Sequence, residues 1–284
     1  MSGFGERFRN AGYSVPKPLI VIDGKTIIQH IVEMFPDEND ITFICNKDHL
    51  NENKYRMGEI LKEIAPECKV IPIEPHKLGP VYSLIKFSDK IKKLKNVIVN
   101  YCDFFWIWDY DNFKSWLKIK EVDAAALCYK GFHPHYINPL KFAYVKARKN
   151  RIIRVKEKES FTNNRENEPA MSGTFYFKSG EKLIDACNKM ITNKDKVKNE
   201  YYVSLLFNYL YSKKQYVYLT DYFFQWGTPN DLHQYMSWQE NLNINKKVNM
   251  NSYQNILMMA GKGKRLSKIQ NIKKPFIELE NKFL

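Results

Sequence analysis

No run in this sequence is long and apolar enough to span a bilayer. The glycine-bearing, charged start carries no signal-peptide pattern. Cysteine is scarce: Cys45, Cys68, Cys102, Cys128 and Cys187 make five, with no Cys-x-x-Cys among them. An odd number, several of them in apolar runs, reads as reduced buried thiols of a cytoplasmic protein. Acidic residues are also short, 31 against 45 Lys and Arg, which leaves a net charge of +14. Nucleic acid and membrane surfaces are the generic partners of such a charge. The lysines, however, are spread along the chain and form no basic tail, which argues against nucleic acid as the main partner. A basic field also favours anionic nucleotides.

What is present is a core. Hydrophobic residues make up 44% of 284, enough for one large domain or a domain plus a fragment, and too many for a mainly disordered chain. Apolar runs at Ile41–Cys45, Lys69–Ile73, Asn96–Cys102 and Asp123–Cys128 read as buried strands. Between them, helical spacing predicts helices over 26–34, 51–64, 80–87 and 112–119. That alternation argues for an α/β domain with a mostly parallel sheet. Further on, 141–147, 152–155 and 174–177 are strand-like. The stretches 179–190, 201–210 and 229–238 read as helices.

The chain opens Ser2-Gly3-Phe4-Gly5-Glu6-Arg7-Phe8, followed by Pro16-Lys17-Pro18-Leu19 and Asp23-Gly24-Lys25. Glycines two apart permit a tight turn and close approach to a ligand. Successive N–H groups in such a loop form a concave anion site. A glycine turn, the Arg7 guanidinium and the Lys17 ammonium suit a polyphosphate.

That ordered set resembles the signature of the sugar-phosphate nucleotidyltransferases. The resemblance implies a Rossmann-like, GT-A-like α/β fold with a mostly parallel sheet between helices and a smaller substrate-side β layer. It implies that Ser2, Gly3 and Gly5 wrap a triphosphate while Arg7 and Lys17 neutralise it. Asp103 matches the family's aspartate that holds Mg²⁺. It follows the Asn96–Cys102 run, and strand carboxyl ends are where open α/β sheets place ligands. Mg²⁺ prefers carboxylate and phosphate oxygens. Asn46, after the Ile41–Cys45 run, and Gly79, just ahead of Pro80, are the other nucleotide-side candidates. Glu157-Lys158 and Ser172-Gly173-Thr174-Phe175-Tyr176-Phe177 resemble the family's stretches around the second substrate. Glu157, Lys158, Gly173 and Glu200 are therefore acceptor candidates. Gln225 stands two residues before Gly227, where the family commonly has a second acidic metal ligand. Its amide oxygen can ligate Mg²⁺ but adds no negative charge.

The implied reaction transfers a nucleoside monophosphate from a nucleoside triphosphate to a sugar phosphate or similar phosphorylated head group. Pyrophosphate leaves, and the product serves surface polysaccharide synthesis. The implied partners are small molecules, with self-association into a homo-oligomer left open. Two rival readings remain. Asp109-Tyr110-Asp111 fits the metal motif of a glycosyltransferase, and Gln225 suits a non-catalytic nucleotide-binding domain. His133 and His135 form a His-x-His without third and fourth zinc ligands nearby, so a loop near the acceptor is the favoured reading. Phe104, Phe105, Trp106 and Trp108 read as core or lid packing, or as a cage for a quaternary ammonium.

The end of the chain repeats its start. Met259-Ala260-Gly261-Lys262-Gly263-Lys264-Arg265-Leu266 mirrors Met1 to Phe8, and Lys274-Pro275-Phe276 mirrors Lys17-Pro18-Leu19. The expected organisation is a nucleotidyltransferase domain over 1–245, a linker over 246–253 and a second repeat over 254–284, cut off at Leu284. The family has an apolar strand running into its glycine loop, and that strand is missing upstream of Met1. Residues 255–259 are expected to form a strand suited to the vacant position.

Overall fold

Six consecutive apolar residues, Ala124–Tyr129, form the centre of the fold as strand β7, every one of them buried. In the computed structural model, Ala125, Leu127 and Tyr129 enter one hydrophobic cluster while Ala124, Ala126 and Cys128 enter another. This is the two-residue period of a strand covered on both faces. The structure describes residues 3–131, 133, 142–212, 214–220, 222–247, 278–279 and 282–283.

In chain order, helix α1 (Glu6–Asn10) follows the glycine loop. A hairpin of β1 (Val21–Ile22) and β2 (Lys25–Thr26) comes next. Helix α2 (Ile27–Glu33) starts where the Thr26 hydroxyl accepts the Gln29 N–H, and it buries Ile27, Ile28 and Ile31. Strand β3 (Thr42–Asn46) leads into α3 (Lys47–Asn51) and α4 (Met57–Ile64). The sequence suggested one helix over 51–64. It is interrupted by a 3₁₀ turn at Asn53–Tyr55 and by Arg56, whose φ of 46° no α-helix accommodates. Strand β4 (Lys69–Ile73), α5 (Pro80–Ile85), α6 (Ser88–Ile91), β5 (Lys95–Asn100) and β6 (Phe104–Ile107) follow. Then come α7 (Tyr110–Ile119), β7, β8 (Ala143–Arg148), β9 (Arg151–Glu157) and the long β10 (Ala170–Ser179). Helix α8 (Gly180–Thr192), β11 (Gln215–Leu219), β12 (Tyr222–Gln225) and α9 (Pro229–Lys247) complete the order. The expected helix over 201–210 is a 3₁₀ turn, Val203–Asn208. Here the Asn208 amide bonds both the N–H and the carbonyl of Val155, tying the turn to β9.

The main sheet has the order β5-β10-β7-β11-β9-β8. Strands β7 and β11 run parallel, and β10 lies antiparallel between β5 and β7. Strands β3 and β4 form a separate parallel pair, and β6 pairs with β12. Among the described residues β3 pairs only with β4, and β5 only with β10. Both line one cavity of about 1220 Å³, with α2 residues Ile28, Ile31 and Val32 and α5 residues Pro80 and Leu84 also in its wall. Between two strand edges and two apolar helix faces, that cavity has the surroundings of a strand position in an α/β sheet. Residues 255–259, expected to suit such a position, lie outside the described residues.

The chain divides into two units, Met1–Ser237 and Trp238–Leu284. In the second, β13 (Glu278–Leu279) pairs with β14 (Lys282–Phe283) through Glu278↔Phe283 and Leu279↔Lys282. In the first, β1 and β2 pair through Val21↔Thr26 and Ile22↔Lys25. Each hairpin begins four residues after the lysine of a Lys-Pro pair, Lys17 or Lys274. The repeated sequence thus carries a repeated hairpin register.

Candidate active site

Five of the sequence candidates meet in the wall of the large cavity: Gly3, Lys17, Gly79, Asp103 and Glu200. Gly5 has φ 66° and is the N-cap of α1, a left-handed turn that a residue with a Cβ adopts only at a cost. It redirects the chain so that Arg7 stays exposed while Phe8 is buried. Ser2 lies outside the described residues.

Lys17 opens a short 3₁₀ turn whose Pro18 and Leu19 are buried. Its ammonium passes 5.5 Å from the Phe8 ring centroid and reaches to 3.5 Å from the Asp103 carboxylate. The Lys17 side chain is 14% exposed and that of Asp103 is 42% exposed, so the acid faces the open side. The Asp103 backbone is fixed separately, because its carbonyl accepts the Trp226 N–H at 2.8 Å.

Among the described residues no three His, Cys, Asp or Glu side chains converge as a metal cluster. The donor set still fits Mg²⁺, which is commonly held by one or two carboxylates together with substrate phosphates and water. Asp103, half exposed in the cavity wall beside Lys17, is a carboxylate that could serve. Gln225 is not part of the cavity wall. Its amide packs over Gly227, and its buried Oε1 has no hydrogen-bond partner among the described residues.

Gly79 has φ 85°, and a Cβ there would lie 2.6 Å from the Tyr201 carbonyl oxygen. The close approach that the sequence suggested at Gly79 is therefore made at least to protein backbone. Val81 N–H donates to the Tyr201 carbonyl, and Tyr201 N–H donates to the Leu78 carbonyl. Asn46 is buried, and its side-chain oxygen caps α3 by accepting the Asp48 N–H.

The acceptor-side candidates are linked through residues that sequence reading passed over. The Tyr202 hydroxyl accepts from the Lys158 ammonium and donates to the Glu200 carboxylate. The Ser204 hydroxyl donates to Glu157 at 2.5 Å. Burial raises the Glu157 carboxyl to about 7, against the opposing effects of Ser204 and Lys158. Burial also lowers the Lys158 ammonium, while the Tyr202 phenol is raised by burial and by its bond to Glu200. Arg7 contributes a positive field to both Lys158 and Tyr202. Gly173 sits at the irregular part of β10 and accepts the Tyr101 N–H. The signal for Tyr202 was its position two residues after Glu200.

Several side features are absorbed by packing. Asp109 caps α7 by accepting the Asn112 N–H, Tyr110 is buried, and Asp111 pairs with Lys114. Those roles leave the Asp-x-Asp stretch helix-bound. Phe104 and Trp106 are core residues, Phe105 stacks on Trp226, and Trp108 donates to the Met34 carbonyl, so the aromatic cluster is packing. His133 Nε2 bonds the Phe223 carbonyl, and His135 lies outside the described residues.

Against known proteins, the nucleotidyl transferase family model matches residues 1–241. No curated protein matches the sequence. The nucleoside-diphosphate-sugar pyrophosphorylase of Vibrio cholerae RC9 is similar in structure, with a TM-score of 0.65 and 15% identity over 84% of this chain and 98% of that one. A UDP-glucose pyrophosphorylase complexed with UDP-glucose gives 0.65 and 13% over 85% and 96%. HddC from Yersinia pseudotuberculosis gives 0.55 and 17% over 84% and 96%. At such identities the likeness is one of fold.

Proposed function

Since this chain belongs to the nucleotidyl transferase family, we propose that it transfers a nucleoside monophosphate from a nucleoside triphosphate to a sugar phosphate. The observation that carries this reading is the shared cavity wall of Gly3, Lys17, Asp103 and Glu200, with Lys158 joined to it through Tyr202. A phosphate oxygen of the acceptor attacks the α-phosphorus, the bond from that phosphorus to the β-phosphate bridge breaks, and pyrophosphate leaves. No protein nucleophile is required, so positioning and charge neutralisation supply the acceleration.

Each residue then has a defined task. The Gly3–Gly5 backbone cradles the phosphates, while Arg7 and Lys17 balance charge on the departing pyrophosphate. Asp103 would hold Mg²⁺, which when bound neutralises phosphate charge. Lys158 balances the acceptor phosphate, and the carboxyl groups of Glu157 and Glu200 accept hydrogen bonds from acceptor hydroxyls. The neighbours' descriptions as sugar-nucleotide pyrophosphorylases support a sugar phosphate acceptor. An activated sugar of this kind would feed surface polysaccharide synthesis in the cytoplasm.

The second hairpin supports reading 254–284 as the opening of another domain of the same kind. Incubation with each nucleoside triphosphate, Mg²⁺ and a panel of phosphorylated acceptors, followed by pyrophosphate measurement, tests the activity. Nucleotide binding without pyrophosphate from any acceptor would instead support a non-catalytic domain.

A further inference from the structure

His76 lies in the cavity wall just before Gly79, and none of the roles assigned so far uses it. Its Nδ1 accepts the Leu78 N–H at 3.2 Å. An accepting Nδ1 places the ring proton on Nε2, which then donates to the Ser83 hydroxyl at 3.0 Å. The ring also packs edge-on against Tyr82, with centroids 4.9 Å apart. Burial, and after it the nearby Lys86 charge, lowers its pKa and favours this neutral form.

Both ring nitrogens are therefore occupied within the protein. Such an imidazole has no atom left to abstract a proton or to read a base. What it does is close the backbone from His76 to Leu78 into a fixed loop and tie that loop to the first turn of α5. On the other side of the loop, Leu78 and Val81 are bonded to the Tyr201 backbone. Gly79 is thus held between a side-chain clasp and a backbone strut, and the strut residue lies between Glu200 and Tyr202.

We propose that His76 is a positioning residue that sets the nucleotide-side wall of the cavity by holding the Leu78–Gly79 backbone in place. The inference rests on the proposed reading that this wall receives the nucleoside triphosphate. Loss of the clasp leaves the chemistry of Lys17 and Asp103 in place and loosens the surface against which the nucleotide lies. The effect therefore falls on ground-state binding.

The test uses three variants of the full chain. His76→Ala removes both bonds. His76→Asn keeps an acceptor at the Nδ1 position for Leu78, whereas His76→Gln reaches only toward Ser83. His76→Ala should raise KM for the nucleoside triphosphate about tenfold with kcat within about twofold of wild type. His76→Asn should restore KM and His76→Gln should not. Amide exchange at Leu78, followed by NMR, should speed up in Ala and Gln but not in Asn. A wild-type KM in His76→Ala, unchanged Leu78 exchange, or equal rescue by Gln and Asn would overturn the inference. Absence of turnover in wild type would overturn the proposed function instead, and the Leu78 exchange rates would still judge the clasp.

Discussion

A Cβ on Gly79 would stand 2.6 Å from the carbonyl oxygen of Tyr201 and 2.7 Å from its nitrogen. Both contacts are with backbone, which cannot swing aside as a side chain can. The positive φ adds strain for any residue with a Cβ. Gly79→Ala is expected to lose about 3 kcal/mol of stability from strain and overpacking. Denaturant unfolding measures it, and a loss under about 1 kcal/mol would mean that the two segments separate freely.

Lys17 and Asp103 share an ion pair at the cavity wall, on the solvent side of the core. The Lys17 side chain is largely buried but Asp103 is open to solvent, which screens the pair and holds its contribution to stability to about 1 kcal/mol. Lys17→Ala and Asp103→Asn should therefore leave the unfolding midpoint nearly unchanged. Each should slow pyrophosphate formation by about 10²–10³, the usual size of a lost transition-state charge contact. Wild-type turnover in either variant removes that residue from the assignment.

Much of the fold was legible because its signals are local. The runs at Ile41–Cys45, Lys69–Ile73 and Asp123–Cys128 are strands within a residue or two, since continuous apolar runs have few other uses. The tight turn at Gly5 was legible for a similar reason, whereas the short helix that follows it was not expected. The break at Arg56 was not, because nothing in that residue type demands a left-handed backbone. Nor was the 3₁₀ turn at Val203–Asn208, which depends on Asn208 meeting a strand 53 residues away in sequence. The role of Tyr202 was not legible because its Lys158 partner lies 44 residues away, and that of His76 was not because its Nδ1 bonds the Leu78 backbone N–H. Asp103 was singled out by the family resemblance and by its place after an apolar strand, whereas Asp109 caps a helix, and a capping aspartate and a metal-binding one look alike in sequence.

Tyr202 joins Lys158 to Glu200 through one hydroxyl. Removing it leaves an ammonium and a carboxylate without their shared partner, in a region that already disfavours the Lys158 charge. Tyr202→Phe should raise KM for the phosphorylated acceptor about tenfold, the scale of one charge-assisted hydrogen bond. KM for the nucleotide should stay within about twofold. An equal rise in both would place Tyr202 outside the acceptor site.

Glu157 gives a prediction whose sign follows from its raised pKa. The folded carboxyl titrates at about 7 and the unfolded one near 4.5. Between those values the folded state binds more protons, so stability falls as pH rises through this window. The contribution is fully present below pH 4.5 and lost above about 7. Glu157→Gln keeps the Ser204 contact and cannot ionise. Relative to wild type it should gain on the order of 2–3 kcal/mol between pH 5 and pH 8. A constant difference across that range would mean that Glu157 titrates normally.

The strand edges of β3 and β5 give the last prediction. Among the described residues each has a single strand partner, and both line the same cavity. Val97, Ile98, Val99 and Asn100 of β5 are half-buried, whereas every residue of β7, paired on both sides, is buried. In an antiparallel pair alternate residues of a strand turn their N–H groups away from the partner. Half of the β5 amides therefore face the cavity, not β10. Amides without a strand partner exchange through local fluctuation, and those of a doubly paired strand only on wider opening. Hydrogen exchange should show alternating fast and slow amides along Lys95–Asn100, and uniformly slow ones along Ala124–Tyr129. Uniform protection of β5 at the level of β7 would mean that another strand pairs with its open edge in solution.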